Sequence, residues 1–295
     1  MIEVRELIKD YSGKRAVNRL SFTARPGVVT GFLGPKGSGK STTMRIILGL
    51  DAPTSGTALV NGKRQPAINR PAHTVGALLE TNAMHRERSA VDHLRFLAHG
   101  NGIGQRRVTE VLEEIGLLAM AGERISGLSP DMQQRLGIAG ALLGDPSVLV
   151  FDEPMQGLDP ESMPWIRDLM QSLAAQGRTV LVSSHQMSEM ALASDHVLII
   201  HRGELITEAS TWTLTNCLRR DVFVRTPRRG GLARVLTNMG ATVRAEYGGG
   251  LSVMGMEAWR IASAAAAHYI PIQELTPRCT SLEDFYQELI SAGGD

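Results

Sequence analysis

Nine residues, Gly34 to Thr42 (GPKGSGKST), constrain the fold of this chain more than any others. They follow the apolar run VVTGFL and open a run with helical apolar spacing, GKSTTMRIILGL. A glycine-rich turn between a buried strand and a helix, matching G-x-x-x-x-G-K-[ST], is a phosphate-binding arrangement only in that setting, and the setting is present. Glycines let the backbone close around phosphate oxygens, while loop amides and the helix start supply partial positive charge. Lys40 would reach the terminal phosphates and the Ser41 hydroxyl could hold Mg²⁺. Gly34, Pro35, Lys36, Gly37, Ser38, Gly39, Lys40, Ser41 and Thr42 are therefore the nucleotide-binding candidates. Lys36 adds a second cation that either strengthens phosphate attraction or faces solvent.

A second chemical signal is VLVFDE at residues 148–153. Four apolar residues make a buried strand that delivers Asp152 to the carboxyl end of a sheet, where it could hold Mg²⁺. Glu153, one position on, could polarise an attacking water as general base. After a helical run and the strand TVLVSS comes His185, also at a strand end. Such a histidine is either a hydrogen-bonded structural residue or a contact to the γ-phosphate that links it to the base.

The remaining organisation fits an α/β chain of two parts. Residues 1–33 read as three short strands, IEVRELIKDY, VNRLSFTAR and VVTGFLG, and GTALVNG reads as a further hairpin turning at Asn61-Gly62. Residues 84–144 are helix-rich, with SAVDHLRFLAH, RRVTEVLEEIGLL and MQQRLGIAGALL, and form an expected helical subdomain. The apolar runs SVLVF, TVLVSS and HVLII alternate with helices, as in a parallel sheet covered on both faces. From residue 218 the order is strand DVFVRT, helix, strand TVRAEY, strand LSVMG, helix, strand IPIQELT and a terminal helix SLEDFYQELI. That is the ferredoxin-like β-α-β-β-α-β order. The expected domains are 1–217 and an accessory α+β domain at 218–295.

Composition narrows the partners. Of 295 residues 43% are hydrophobic and 21% charged, and the formal net charge of +1 provides no overall field for nucleic acid or acidic membrane. The patch Arg225, Arg228 and Arg229 lacks interleaved aromatics and reads as a solvated rim, so no nucleic acid partner is expected. No run approaches the roughly 18 uncharged apolar residues of a membrane span. The start MIEVRELIKDYSGKR lacks the apolar run of a signal peptide, so a cytosolic chain is expected. Cys217 and Cys279 lie far apart and form no CxxC, and His85, His93 and His99 do not share a helix face, so neither set reads as a metal site.

GPKGSGKSTT, VLVFDEP, GLDP and SSH stand in the order seen in the ATP-binding subunits of ABC transporters, which this chain resembles over about residues 1–215. The resemblance implies a P-loop NTPase core of the ABC ATPase type with an antiparallel β subdomain and a helical subdomain. It also implies ATP and Mg²⁺ as ligands, and a head-to-tail pair with a second copy. Each ATP would lie between the phosphate loop of one copy and the signature helix of the other. Tyr11 would stack on adenine, and the Leu158-Asp159 loop would cross the dimer interface. VGALLETNAM and ELTPRCTSLEDFYQELI are similar to actinobacterial drug- and antibiotic-resistance exporters. Those work with a separate permease of about six membrane helices, which implies a peripheral place on the cytoplasmic face of the membrane.

Two departures from the family pattern matter. Glu80 stands where the family usually has a Gln that ligates Mg²⁺; a carboxylate is still a hard oxygen donor, so retained metal binding is expected. The family signature Leu-Ser-Gly-Gly-Gln reads here Leu128-Ser129-Pro130-Asp131-Met132. Pro130 removes an amide donor, and Asp131 puts a carboxylate in the first helical turn. At about 5 Å and an effective dielectric of about 20 it would repel an opposing triphosphate by roughly 3 kcal/mol per unit of phosphate charge. Lys36 of a second copy is one cation that could offset this. The same residues, Ser at N-cap, Pro at N1 and Asp at N2, also make a helix start that needs no external anion. Two functions follow: an ATP-hydrolysing motor of an exporter, or an ATP-binding regulatory or structural subunit with impaired hydrolysis.

Overall fold

The computed structural model of the chain describes residues 1–65, 68, 70–79, 84–213, 220–246, 249–279 and 286. Two compact units result, Met1–Thr211 and Trp212–Asp295.

In the larger unit, β1 (Ile2–Tyr11) pairs antiparallel with β2 (Lys14–Ala24) across the turn at Ser12 and Gly13. The apolar run that precedes the glycine loop is β3 (Val29–Leu33), every residue of it buried, and α1 (Lys40–Ile47) follows the loop. Next comes β4 (Ser55–Val60), which pairs with β1 in a three-stranded sheet ordered β2-β1-β4. The expected local hairpin at Asn61-Gly62 is thus corrected: beyond the turn only a single bridge joins Val60 to Lys63, and the long-range partner β1 takes the strand's ladder.

A short helix α2 (Pro71–Thr74) leads into β5 (Val75–Leu78). The helix-rich block holds α3 (Ala90–Gly100), α4 (Gln105–Glu114) and α5 (Pro130–Leu142). The chain then alternates through β6 (Val148–Phe151), α6 (Met163–Ala175), β7 (Thr179–Ser184), α7 (Met187–Ala193), β8 (His196–His201) and β9 (Glu204–Ser210). These strands form a six-stranded sheet ordered β5-β6-β7-β3-β8-β9. All pairs are parallel except β8-β9, which is antiparallel. Sequence reasoning did not single out β9. Its burial alternates between half-buried and exposed positions, the pattern of an edge strand, and it carries no continuous apolar run.

Burial explains the parallel core: β3, β6 and β7 are fully buried along their lengths, as strands covered on both faces require. Phe22 of β2 meets Phe32 of β3 at a ring-centroid distance of 5.3 Å, so the antiparallel sheet shares one apolar core with the parallel one. Helix α5 rides directly on β5. A Cβ at Gly76 would stand 2.0 Å from the backbone oxygen of Ala141 and 2.8 Å from Pro146. Backbone cannot yield as a side chain tip does, so Gly76→Ala is expected to cost about 1–3 kcal/mol as an overpacked contact. Chemical unfolding checks this as a lower midpoint for the transition of the larger unit.

The smaller unit is a four-stranded antiparallel sheet ordered β11-β12-β10-β13, built from β10 (Arg220–Arg225), β11 (Thr242–Ala245), β12 (Leu251–Met254) and β13 (Glu274–Cys279). Helices α8 (Arg229–Asn238) and α9 (Ala258–Ala267) complete the ferredoxin-like order. Leu232, Leu236 and Ile261 of the helices pack with Val222, Val224 and Val253 of the strands. The last strand is corrected from IPIQELT to Glu274–Cys279. Ile270 serves as a core residue ahead of the strand, and the Gln273 amide already bonds the Arg225 carbonyl before the ladder proper begins. Of the expected terminal helix only Tyr286 lies within the described residues, and it is buried. Cys217 lies outside them.

Candidate functional site

Sheet order decides what meets at the carboxyl edge. With β7 between β6 and β3, the residues after these three strands converge: Lys40 beyond β3, Asp152 and Glu153 beyond β6, His185 beyond β7. This is the crevice outside the strand ends where open α/β sheets bind ligands.

The glycine loop ends in a helix start built for an anion. The N-cap of α1 is Gly39 with φ +106°, no side chain caps the first amides, and no acid stands in the first turn. A Cβ at Gly39 would meet the Ala16 carbonyl at 2.5 Å, so only glycine fits. Ser38 Oγ is buried and, among the described residues, has no hydrogen-bond partner. Such an orphaned donor inside a ring of amides suits a phosphate oxygen. Lys40 is 5% exposed, and its Nζ donates to the Gly34 carbonyl at 2.7 Å and the Pro35 carbonyl at 3.2 Å. Burial lowers the Lys40 ammonium below the ordinary lysine value, and Glu153 and Asp152 pull it back part of the way.

Lys40 Nζ stands 3.7 Å from Glu153 Oε1, while Glu153 Oε2 lies 2.8 Å from His185 Nδ1 and accepts the His185 backbone amide at 3.3 Å. Glu153 itself has φ +49°, a left-handed conformation that costs a non-glycine residue about 1–3 kcal/mol. The turn is held by Ser183: the Glu153 amide donates to Ser183 Oγ at 2.9 Å, and that hydroxyl donates to Asp152 Oδ1. The Asp152 amide donates to the Leu78 carbonyl at 2.7 Å, which fixes the strand end from its other side. Ser183 opens the SSH run, but nothing in the sequence marks its bridging role, which arises from the β6-β7 pairing.

A cleft of about 810 Å³ opens over the loop, lined by Tyr11, Lys14, Arg15, Lys36, Gly37, Gly39, Lys40, Ser41, Thr42, Glu153, Gln156 and Arg202. Its cations outnumber its single carboxylate, the balance a polyphosphate needs. Tyr11 stands at its rim, 42% exposed, with its hydroxyl donating to Asp51 Oδ2 at 2.8 Å and Lys9 Nζ 4.6 Å from the ring centroid. An adjoining cleft of about 580 Å³ brings Ser41 and Asp152 together with Pro130, Gln133, Gln134 and Gln156. Glu80 lies outside the described residues. Leu158 is buried, and Asp159 beside it is exposed.

The start of α5 satisfies itself, in contrast to α1. Ser129 is its N-cap and accepts the Met132 amide at 3.2 Å, and Pro130 occupies the first helical position. Asp131 Oδ2 accepts from Arg135 Nε at 2.9 Å, and the Arg135 guanidinium lies 4.2 Å from the centroid of the Trp165 ring. The cation beside Asp131 is therefore on its own helix. The i,i+4 spacing of Asp131 and Arg135 is a signal that could have found it. Gln134, one residue before, donates to the Pro154 carbonyl at 2.7 Å and ties α5 to the turn that carries Glu153.

Fold and cleft define a P-loop nucleoside triphosphatase. A family model described as ABC transporter matches residues 17–156. One described as an AAA domain, putative AbiEii toxin, Type IV TA system, overlaps it at residues 125–191, and a domain of unknown function matches residues 220–283. The chain is 38% identical over 214 residues to the bacitracin transport ATP-binding protein BcrA of Bacillus licheniformis, covering 70% of this chain and 69% of that one. A solved ATP-binding subunit of an ABC transporter superposes with a TM-score of 0.66 at 26% identity, covering 73% of this chain and 92% of that one. A dimeric ATP-binding cassette in a post-hydrolysis state, bound to ADP and Pi, has the same fold. It superposes with a TM-score of 0.65 at 23% identity, covering 72% of this chain and 99% of that one. The chain belongs to the ATP-binding proteins of ABC transporters and is a nucleotide-binding ABC-type ATPase.

Proposed function

We propose that this chain hydrolyses ATP to energise a separate membrane permease that exports a hydrophobic drug or antibiotic. What carries the reading is the Glu153 carboxylate, held between Lys40 and His185 at the mouth of the phosphate loop. In that place Glu153 takes the proton of the attacking water as general base. His185, bonded to the same carboxylate, orients it and contacts the γ-phosphate. Lys40 leaves the loop carbonyls for the terminal phosphates, and the loop residues 34–42 cradle the chain of phosphates with their amides. Tyr11 stacks on the adenine.

Mg²⁺ suits the donor set of the second cleft: a serine hydroxyl and a carboxylate are hard oxygen donors, and nucleotide oxygens complete the shell. Ser41, Asp152 and Glu80 would hold the ion, which neutralises phosphate charge. A second copy pairs head to tail, presenting Ser129, Pro130, Asp131 and Met132 to the opposite ATP and crossing at Leu158 and Asp159. Among the described residues no helix is long and apolar enough to cross a membrane. By its likeness to exporter ATPases, the reading includes a permease of about six helices, with this chain docked on its cytoplasmic face. Residues 218–295 form the accessory domain of that subunit.

The relative named for bacitracin transport supports the antibiotic assignment. A second reading, ATP binding with impaired hydrolysis in a regulatory or structural subunit, is favoured by Pro130 and Asp131 alone. The test of the motor role starts from the neighbouring reading frames: a membrane protein of about six helices found there is co-expressed with this chain. The pair should raise resistance to its antibiotic, and Lys40→Ala with the same permease should not. Equal resistance from the variant would remove the motor role.

A further inference from the structure

The geometry points to Arg135, seated on Trp165, as the positioning residue that neutralises Asp131 and lets this altered helix start face the triphosphate of a second copy. The inference rests on the head-to-tail reading above. Asp131 holds the position from which a carboxylate most opposes an incoming anion: the first turn of α5, next to exposed Ser129 and Pro130. Yet the carboxylate is not left free. Its Oδ2 accepts from Arg135 Nε at 2.9 Å, with both side chains mostly buried, at 18% and 21% exposure. Oδ1 is buried too and, among the described residues, has no hydrogen-bond partner, which leaves Arg135 as the cation paired with this carboxylate.

A lone i,i+4 pair on a helix surface contributes little, because both side chains remain mobile and solvated. This pair differs in that the guanidinium is fixed from outside the helix. Trp165 belongs to α6, the helix that follows the Leu158-Asp159 loop, and its ring lies 4.2 Å from the Arg135 guanidinium carbon. Stacking on an indole face leaves the guanidinium fork in one plane and holds Nε toward Asp131. Two elements that lie apart in sequence, the signature helix and the helix after the catalytic strand, are joined through one cation. One residue away, the Gln134 carboxamide donates to the Pro154 carbonyl and ties α5 to the turn that carries Glu153. The cluster thus turns a net repulsive carboxylate into a neutral pair, leaving the Ser129 hydroxyl at the exposed helix start to meet the phosphate.

The experiment is a double-substitution cycle of Arg135→Gln and Asp131→Gly in the full chain. The readout is the ATP-dependent dimer dissociation constant from sedimentation, with ATP affinity of the dilute monomer and thermal unfolding measured alongside. Arg135→Gln should weaken the ATP-dependent dimer about tenfold, and in the presence of Asp131→Gly it should change it by less than about twofold. Trp165→Leu should act in the direction of Arg135→Gln with a smaller effect. Monomer affinity for ATP should stay as in the unsubstituted chain, since the Lys40 cleft is not touched. A loss of the same size with Asp131 and with its glycine replacement would show a structural arginine and overturn the inference, as would no loss in either. If ATP drives no dimer in any of the four proteins, the head-to-tail reading fails, and the inference fails with it.

Discussion

Glu153→Gln is expected to lower phosphate release from MgATP at least about hundredfold while ATP affinity stays within about threefold of the unsubstituted chain. The substitution keeps the shape of the side chain and an oxygen able to accept the His185 amide, which lies 3.3 Å from the carboxylate. It removes the negative charge and the basic lone pair that would take the proton of water. A hundredfold loss corresponds to about 2.7 kcal/mol of barrier, within the range of a positioned general base. The backbone of residue 153 is already committed, at φ +49° with its amide on Ser183 Oγ, so the variant has little reason to move. Turnover at the original rate would take the base away from Glu153. Loss of ATP affinity together with turnover would assign it to binding instead.

Lys40→Ala is expected to weaken ATP binding by about hundredfold or more and to abolish hydrolysis, because the group removed is the buried cation that the proposed function turns toward the phosphates. Truncating one partner of a buried charged contact typically costs about 2–5 kcal/mol. Here the ammonium is 5% exposed and poised on the Gly34 and Pro35 carbonyls, from which it can transfer to phosphate oxygens with little rearrangement. The variant also leaves those carbonyls without their donor, so circular dichroism should accompany the binding measurement to show that the fold persists. Equilibrium binding of ATP near the original affinity would contradict the placing of the terminal phosphates.

The two variants separate binding from chemistry, and the reason lies in which strand each residue follows. Lys40 was legible in the sequence because a glycine loop between an apolar strand and a helix has few other uses. Asp152, Glu153 and His185 stood out as candidates because they follow short apolar runs that read as buried strands. Their convergence was not legible, since it depends on β7 lying between β6 and β3, an order set by long-range pairing. Ser183, which bridges Asp152 and the Glu153 amide, becomes visible only with that order.

The fold shows the same division. Fully apolar strands and amphipathic helices could be read directly, whereas β9, half-buried at the sheet edge, carries no run to read. The last strand was placed a few residues early because Ile270 and Ile272 look like strand residues, while Ile270 packs in the core before the ladder starts. Arg135 stands apart from these: its i,i+4 spacing from Asp131 is visible in the sequence, but the Trp165 ring that holds its guanidinium is brought to it only by the fold.

Cleavage of ATP despite the altered start of α5 is what separates a motor from a subunit that only binds. The purified chain and its Glu153→Gln variant are incubated with labelled MgATP, and the nucleotide that stays bound is chromatographed. ADP is expected on the unsubstituted chain and intact ATP on the variant. Intact ATP on both would contradict cleavage and favour the subunit that binds without hydrolysing.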